Sequence, residues 1–168
     1  MRGDGATAYV GLGSNLGDRT AAIHRAAEAI DELVATELVS LSKLYETEPR
    51  IVEDQPAFVN ACAEVRTRLR PAAFLEALLG VERRAGRDRD GARDRGPRPL
   101  DLDLLLYGDR QIDRDGLDVP HPGLAERAFV LVPLAEIAPD LEPPGVDATV
   151  SELRDRCDDD GWIRRASE

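Results

Sequence analysis

The chain reads as an α+β protein: a ferredoxin-like (split βαβ) antiparallel sheet with helices on one face and the active site on the other. Three observations carry this reading. Hydrophobic periodicity changes along the chain in the order strand, helix, strand, strand, helix, strand, which is the split βαβ layout. Two of those strands have a continuous apolar side, Val59, Ala61 and Val65 in one and Leu100, Leu102 and Leu104 in the other. If the helices cover that side, Phe58, Asn60, Asp101 and Asp103 emerge on the opposite one. At 168 residues with no evident repeat, the chain is expected to be one domain, 1–168, long enough to bury its own core.

Thr7 to Gly13 makes the first strand, with Ala8, Val10 and Leu12 on one face and Gly11 and Gly13 on the other. Residues 13–18, Gly-Ser-Asn-Leu-Gly-Asp, break it. Asp18 or Asn15 then caps a helix whose apolar positions are Ile23, Ala26, Ala27, Ile30, Leu33 and Val34. The Gly-bearing turn lacks GxGxxG and a closing Gly-Lys-Ser/Thr, so it reads as structural rather than as a phosphate loop. Thr36 to Glu46 is a second strand of imperfect alternation, followed by a polar, proline-bounded loop ending at Pro56. Ala57 to Arg68 alternates better. Val59, Ala61, Ala63 and Val65 share one side, Phe58, Asn60 and Cys62 the other; Phe58 and Asn60 are either core and edge residues or a ring and an amide that hold a flat heterocycle.

Pro71, at the favoured first helical position, starts a second helix with Phe74, Leu75, Leu78 and Leu79 as its buried stripe. Glu82 continues the spacing, and either reaches the surface or faces the site. Arg83 to Pro97 is charged, Gly-containing and without hydrophobic period, which predicts a mobile loop, placed as a lid immediately before the next strand. That strand begins at Leu100. Its alternation sends Asp101 and Asp103 to one face, roughly 6.6 Å apart along the strand, where they can converge on one cation or on two about 4 Å apart. Hard oxygen ligands favour Mg²⁺ over Zn²⁺. An isolated Asp-x-Asp is more often a solvated strand face, but Pro97 and Pro99 stiffen the entry and Arg98 sits three residues before the first acid, as a phosphate-handling metal site would need.

Beyond a hairpin-like turn at Tyr107 to Gln111, His121 is held between Pro120 and Pro122, near Arg127 and Phe129, and is a candidate phosphate contact. His24 reads as structural. Ala128 to Ile137 is apolar and helical or mixed, a short helix lies near Val150 to Arg156, and Trp162 in the polar tail is expected to pack on the body.

The formal charge of −11 argues against a nucleic-acid or anionic-membrane partner, either of which needs a basic face. The arginines at 83, 84, 87, 89, 93, 95 and 98 instead crowd one segment, a local anion site within an acidic protein. Cys62 and Cys157 have neither metal-ligand spacing nor a CxxC partner and read as separate reduced thiols. There is no leader-like apolar segment and no run near the ~20 apolar residues of a membrane span. A soluble cytoplasmic protein is expected.

With these residues in place, the chain resembles the 6-hydroxymethyl-7,8-dihydropterin pyrophosphokinase family, whose members move a pyrophosphoryl group from ATP to the pterin hydroxymethyl and release AMP. The resemblance runs through Gly11-Leu-Gly-Ser-Asn-Leu-Gly-Asp18, Tyr45-x-Thr47-x-Pro49, Asp54-Gln-Pro-x-Phe58-x-Asn60, Gly96-Pro-Arg-x-Leu-Asp-Leu-Asp103, Val119-Pro-His121 and Arg127-x-Phe129-x-Leu-x-Pro-Leu134. It implies that Asp101 and Asp103 hold two Mg²⁺ ions bridging the ATP phosphates, that Arg87 and Arg98 are catalytic and stabilise those phosphates, and that Arg89 assists. It further implies that Phe58 and Phe129 sandwich the pterin, that Thr47 and Asn60 bond its edge, and that Glu82, His121 and Arg127 lie on the nucleotide side. Gly116 and Asp118 stand where the family often carries Arg and Thr. The implied partners are ATP and the pterin alone, with the protein a monomer. Two rivals use the same features: an Mg²⁺-dependent phosphohydrolase, and a ferredoxin-like ligand-binding module that leaves the diacid unexplained.

Overall fold

The structure, a computed structural model, describes residues 5–48, 57–86 and 99–166. The predicted sheet is present. β1 (Ala6–Ser14) lies between β4 (Phe58–Thr67) and β5 (Asp101–Tyr107), antiparallel to both, and β2 (Thr36–Leu41) and β3 (Tyr45–Thr47) pair in turn with β4. The helices α1 (Arg19–Asp31) and α2 (Pro71–Arg84) pack on the face made by Ala8, Val10, Leu12, Val59, Ala61, Val65 and Leu102. All seven are buried. Asp18 caps α1 by accepting the Ala21 N–H at 3.1 Å, the turn role read from its sequence position.

Four features differ from the expectation. Val34, placed on the α1 stripe, is 74% exposed, because α1 ends at Asp31 and Ala35, at φ 54°, turns the chain away. The expected strand from Thr36 to Glu46 is two strands. Its register with β4 shifts between Leu38 and Ser40, and Ser42 then replaces ladder pairing with a hydroxyl: Ser42 Oγ accepts the Cys62 N–H while the Ser42 N–H donates to the Cys62 carbonyl, both at 2.9 Å. Leu44 can then turn into the core, where it is 1% exposed.

The third difference is that the second face of the sheet is half covered. α3 (Ala128–Ile137) and α4 (Val150–Arg156) pack there on Tyr9, Cys62, Leu105 and Leu106. A bulge in β5 opposite Tyr9 and Val10 makes this possible, since one extra residue lets Leu105 and Leu106 both feed the second core before Tyr107 returns to the first. Last, the tail, expected to be polar with Trp162 packed on the body, is a strand with Trp162 left half out. Ile163–Arg165 forms a strand that pairs with β3, while Trp162 stays 42% exposed under the Arg164 guanidinium, 4.9 Å from its ring centroid. A hairpin, β6 (Ile112–Arg114) and β7 (Leu117–Val119), precedes the His121 loop, and the tail strand is therefore β8.

Candidate active site

The part of the second face that α3 and α4 leave open is a trough across three strands. Asp101 is register partner to Gly13, which partners Asn60; Asp103 is partner to Gly11, which partners Cys62. Neighbouring strands lie about 4.8 Å apart, so acid and amide face each other across a central strand with no side chain between them. Gly13 is required for this. A Cβ there would sit 2.8 Å from Asn60 Oδ1 and 3.8 Å from Phe58, whereas at Gly11 it would meet only Leu105 at 3.7 Å. The glycines read from sequence as a structural turn thus belong, in part, to the floor of the site.

Asn60 is 8% exposed and its Nδ2 donates to Thr47 Oγ1 at 2.7 Å. Thr47, itself buried, is the register partner of Phe58. That donor fixes the amide, and its Oδ1 is the atom turned to the trough beside Gly13. Phe129, in the first turn of α3, closes the trough from above, in one crevice with Asn60, Asp101 and Asp103. The crevice between these side chains is narrow.

On the outer edge of β5 lies a larger cleft of about 390 Å³, lined by Leu75, Leu79, Asp103, Asp118 and His121 among others. Leu75 and Leu79, placed on the buried stripe of α2, are half-buried there and present apolar surface to it. Gly116 also lines this cleft, with nothing within 4 Å of where its Cβ would be. Asp103 borders both cleft and crevice.

The His121 backbone N–H donates to the Leu105 carbonyl at 2.9 Å, docking the Pro-His-Pro loop on the β5 edge. Its Nδ1 accepts the Gly123 N–H at 3.0 Å, so in the neutral ring the proton is on Nε2, which lies 4.0 Å from Asp103 Oδ1. Burial, aided by the Arg127 charge and opposed by Asp101 and Asp118, lowers the His121 pKa. The ring's Nε2 faces the diacid. Arg127 passes over Gly123, where a Cβ would stand 2.7 Å from its Nε, and its guanidinium carbon lies 5.8 Å from the Phe129 centroid. It joins the His121 loop to α3.

Glu82 does not stand in the cleft. It is 2% exposed, and its Oε2 accepts the Leu102 N–H at 2.7 Å, the backbone donor that β5 turns away from β1 between the two acids. So buried, it has no surface for a nucleotide and instead holds the diacid strand from outside. Arg87, Arg89 and Arg98 fall outside the described residues, as does the expected lid from residue 87 on; its first two residues, Arg83 and Arg84, are instead the end of α2. Cys62 is buried and its thiol is pushed upward by desolvation, which suits packing and not nucleophilic work.

Among the described residues no group of three or more His, Cys, Asp and Glu side chains forms a metal cage. Two adjacent carboxylates are nonetheless a fit for Mg²⁺, which commonly takes one or two carboxylates and completes its shell with water and substrate phosphate. The donor set therefore suits a metal that arrives with a polyphosphate.

Comparison with known proteins agrees with the geometry. The family model described as 7,8-dihydro-6-hydroxymethylpterin-pyrophosphokinase matches residues 9–139. A 2-amino-4-hydroxy-6-hydroxymethyldihydropteridine pyrophosphokinase from Pseudomonas aeruginosa is 47% identical over 136 residues, covering 81% of this chain and 83% of its own length. One from Haemophilus influenzae is 45% identical over 138 residues, covering 82% and 85%. Among solved structures, a Plasmodium falciparum HPPK-DHPS with pterin and p-hydroxybenzoate superposes with a TM-score of 0.73 at 14% identity, over 90% of this chain and 43% of that longer one. At such low identity this last likeness speaks to the fold alone.

Proposed function

We propose, from the premise that the chain belongs to the 7,8-dihydro-6-hydroxymethylpterin-pyrophosphokinase family, a division of labour across the trough. The reaction is transfer of pyrophosphate from ATP to 6-hydroxymethyl-7,8-dihydropterin, a step of folate biosynthesis. The observation that carries the reading is Asp103, the one acid shared by the ring-side crevice and the nucleotide-side cleft.

The pterin enters between Phe58 and Phe129, with Thr47 orienting the Asn60 amide against its edge. ATP lies along the outer cleft, its base against Leu75 and Leu79, its phosphates turned toward Asp103, His121 and Arg127. The pterin hydroxymethyl oxygen bonds to the β-phosphorus, the bond from that phosphorus to the oxygen bridging to the α-phosphate breaks, and AMP leaves with that oxygen; the hydroxyl proton passes to solvent. Positioning and electrostatics suffice for such a transfer, and no covalent intermediate with the protein is needed. Mg²⁺ bound by Asp101 and Asp103, as two ions, would supply charge neutralisation across the phosphates. His121 Nε2–H and the Arg127 guanidinium donate to phosphate oxygens, as do Arg87, Arg89 and Arg98. The protein acts as a cytoplasmic monomer; no helix among the described residues is long and apolar enough to cross a membrane.

The test is product analysis. With ATP and Mg²⁺, AMP should form only when the pterin alcohol is present, and chelation should stop it. Phosphate release from ATP without acceptor would assign the diacid to a hydrolase instead.

A further inference from the structure

The tail of the chain, beyond the residues the family model matches, lines a small depression that shares Phe129 with the crevice. β8 adds to the sheet outside β3, pairing Tyr45 with Arg165 and Thr47 with Ile163. The Glu48 N–H continues the contact by donating to the Trp162 carbonyl at 3.2 Å. Just before this strand, Asp159 is held in a tight turn in which its Oδ1 accepts the Gly161 N–H at 3.0 Å. Its other oxygen, Oδ2, accepts the Ala128 N–H at 3.0 Å.

Ala128 is the first residue of α3 and Phe129 the second, and Arg127, the residue at the cap position, makes no side-chain capping bond of its own. A carboxylate from 31 residues away thus satisfies the helix start that local sequence leaves open, and it does so with the charge sign that a helix N-terminus favours. The far end of α3 is tied separately: Glu136 accepts from the Tyr45 hydroxyl at 2.6 Å and from the Lys43 N–H at 3.0 Å. The second tie goes to the same side of the sheet as β8. Thr47, Phe129, Asp159 and Trp162 line one small depression between the strap and the helix.

We propose that Asp159 is a positioning residue for the pterin half of the site, setting the first turn of α3 and so the placement of the Phe129 ring. The inference rests on the reading of Phe129 as a pterin-stacking ring. It makes the C-terminal strap a specificity element for the bicyclic substrate and leaves the nucleotide side to β5 and the His121 loop.

The experiment measures dissociation constants for 6-hydroxymethyl-7,8-dihydropterin, with a non-hydrolysable ATP analogue and Mg²⁺ present, and for the analogue alone. Asp159→Ala should raise the pterin value by roughly five- to tenfold, the size expected for loss of one capping carboxylate, and leave the analogue within about twofold of the parent. Asp159→Asn, whose single amide oxygen can take the Ala128 N–H only by giving up the Gly161 N–H and which carries no charge, should recover only part of the loss. In a Phe129→Ala background, where the pterin value is already raised, adding Asp159→Ala should change nothing more. If Asp159→Ala is too unstable to assay, Asp159→Glu, which overreaches the cap, carries the same expectation. Equal weakening of both ligands, no weakening in Asp159→Ala, or the same factor with and without Phe129 overturns the proposal while the crevice reading survives. Unchanged pterin binding in Phe129→Ala alone overturns both.

Discussion

Gly13, Asn60 and Thr47 show how narrowly the site is built at the scale of single residues. The amide is turned by one buried hydrogen bond to Thr47, and the room it occupies exists only because residue 13 lacks a Cβ. Gly13→Ala should therefore displace Asn60 and weaken pterin binding by roughly tenfold or more, while ATP-analogue binding, proposed for the other side of β5, stays near the parent value; calorimetric titration of each ligand decides it. Asp101→Asn and Asp103→Asn have the opposite signature. Both side chains are half-exposed and do not support the core, so melting temperatures should hold, yet turnover should fall by at least about 100-fold as the metal loses a charged ligand. Near-parent rates in both variants at ordinary Mg²⁺ would remove the diacid from the mechanism. Glu82 is different again, because Glu82→Ala would leave the buried Leu102 N–H without that acceptor, at a cost of about 1–3 kcal/mol. A denaturant titration should show that loss, with turnover falling alongside it as the diacid strand loosens.

Elements carry the strap. Glu46 on β3 accepts from Arg164 Nε at 2.8 Å and pairs with Arg19 at 2.9 Å, so one carboxylate ties β8 to the start of α1. The Arg164 hydrogen bonds, more than burial opposes them, hold its pKa below the ordinary carboxylate range. A depressed folded-state pKa means that the tie contributes fully above the unfolded value of about 4.3 and is lost as pH falls through the lower folded one. Glu46→Gln at neutral pH should mimic that acid state: the Ala166 N–H, which donates to the Leu44 carbonyl, and the Glu48 N–H should exchange faster, while amides of β1 and β4 keep the parent rates. Equal exchange in both proteins would mean that ladder bonds alone hold β8. Little of this was legible in the sequence. Alternation exposed β1, β4 and the first half of β5 because each has a buried face of small or branched residues in regular period, and the diacid followed from the same period, which holds up to the β5 bulge. β8 is three residues long, Ile-Arg-Arg, with no apolar period to read, and the Ser42 break in the second strand depends on a hydroxyl standing in for a ladder partner. The Asp159 cap joins residues 31 apart with no local signature. Glu82 could be placed on its helix face but not given its partner, since a carboxylate aimed at a strand edge and one aimed at a ligand look alike in one dimension.

For the molecule as a whole, one sheet separates two cores with different duties. The cluster under α1 and α2 buries the apolar side of every long strand; the cluster under α3 and α4 covers only part of the other side and ends where the trough begins. The sequence pattern pointed to the first core and to an open opposite face, and it missed that the second layer forms one wall of the site. This layout predicts that stability and pterin affinity are separable. Ile30 in α1 and Leu131 in α3 are each 0% exposed, so Ile30→Ala and Leu131→Ala should each lower the unfolding free energy by about 2–5 kcal/mol. Cavities relax into neighbouring packing. Around Ile30 the neighbours belong to the first core, on the far side of the sheet from the trough. Around Leu131 they include the helix that carries Phe129 two residues earlier. Compared at a temperature well below both melting points, Ile30→Ala should therefore bind the pterin like the parent, whereas Leu131→Ala should bind it several-fold more weakly, with both retaining parent affinity for the ATP analogue. Urea titration of each variant sets the stability comparison, and calorimetry on the folded proteins sets the affinities. If the two variants lose pterin affinity equally, the sheet transmits core defects to the trough from either side, and the second layer has no special hold on the site.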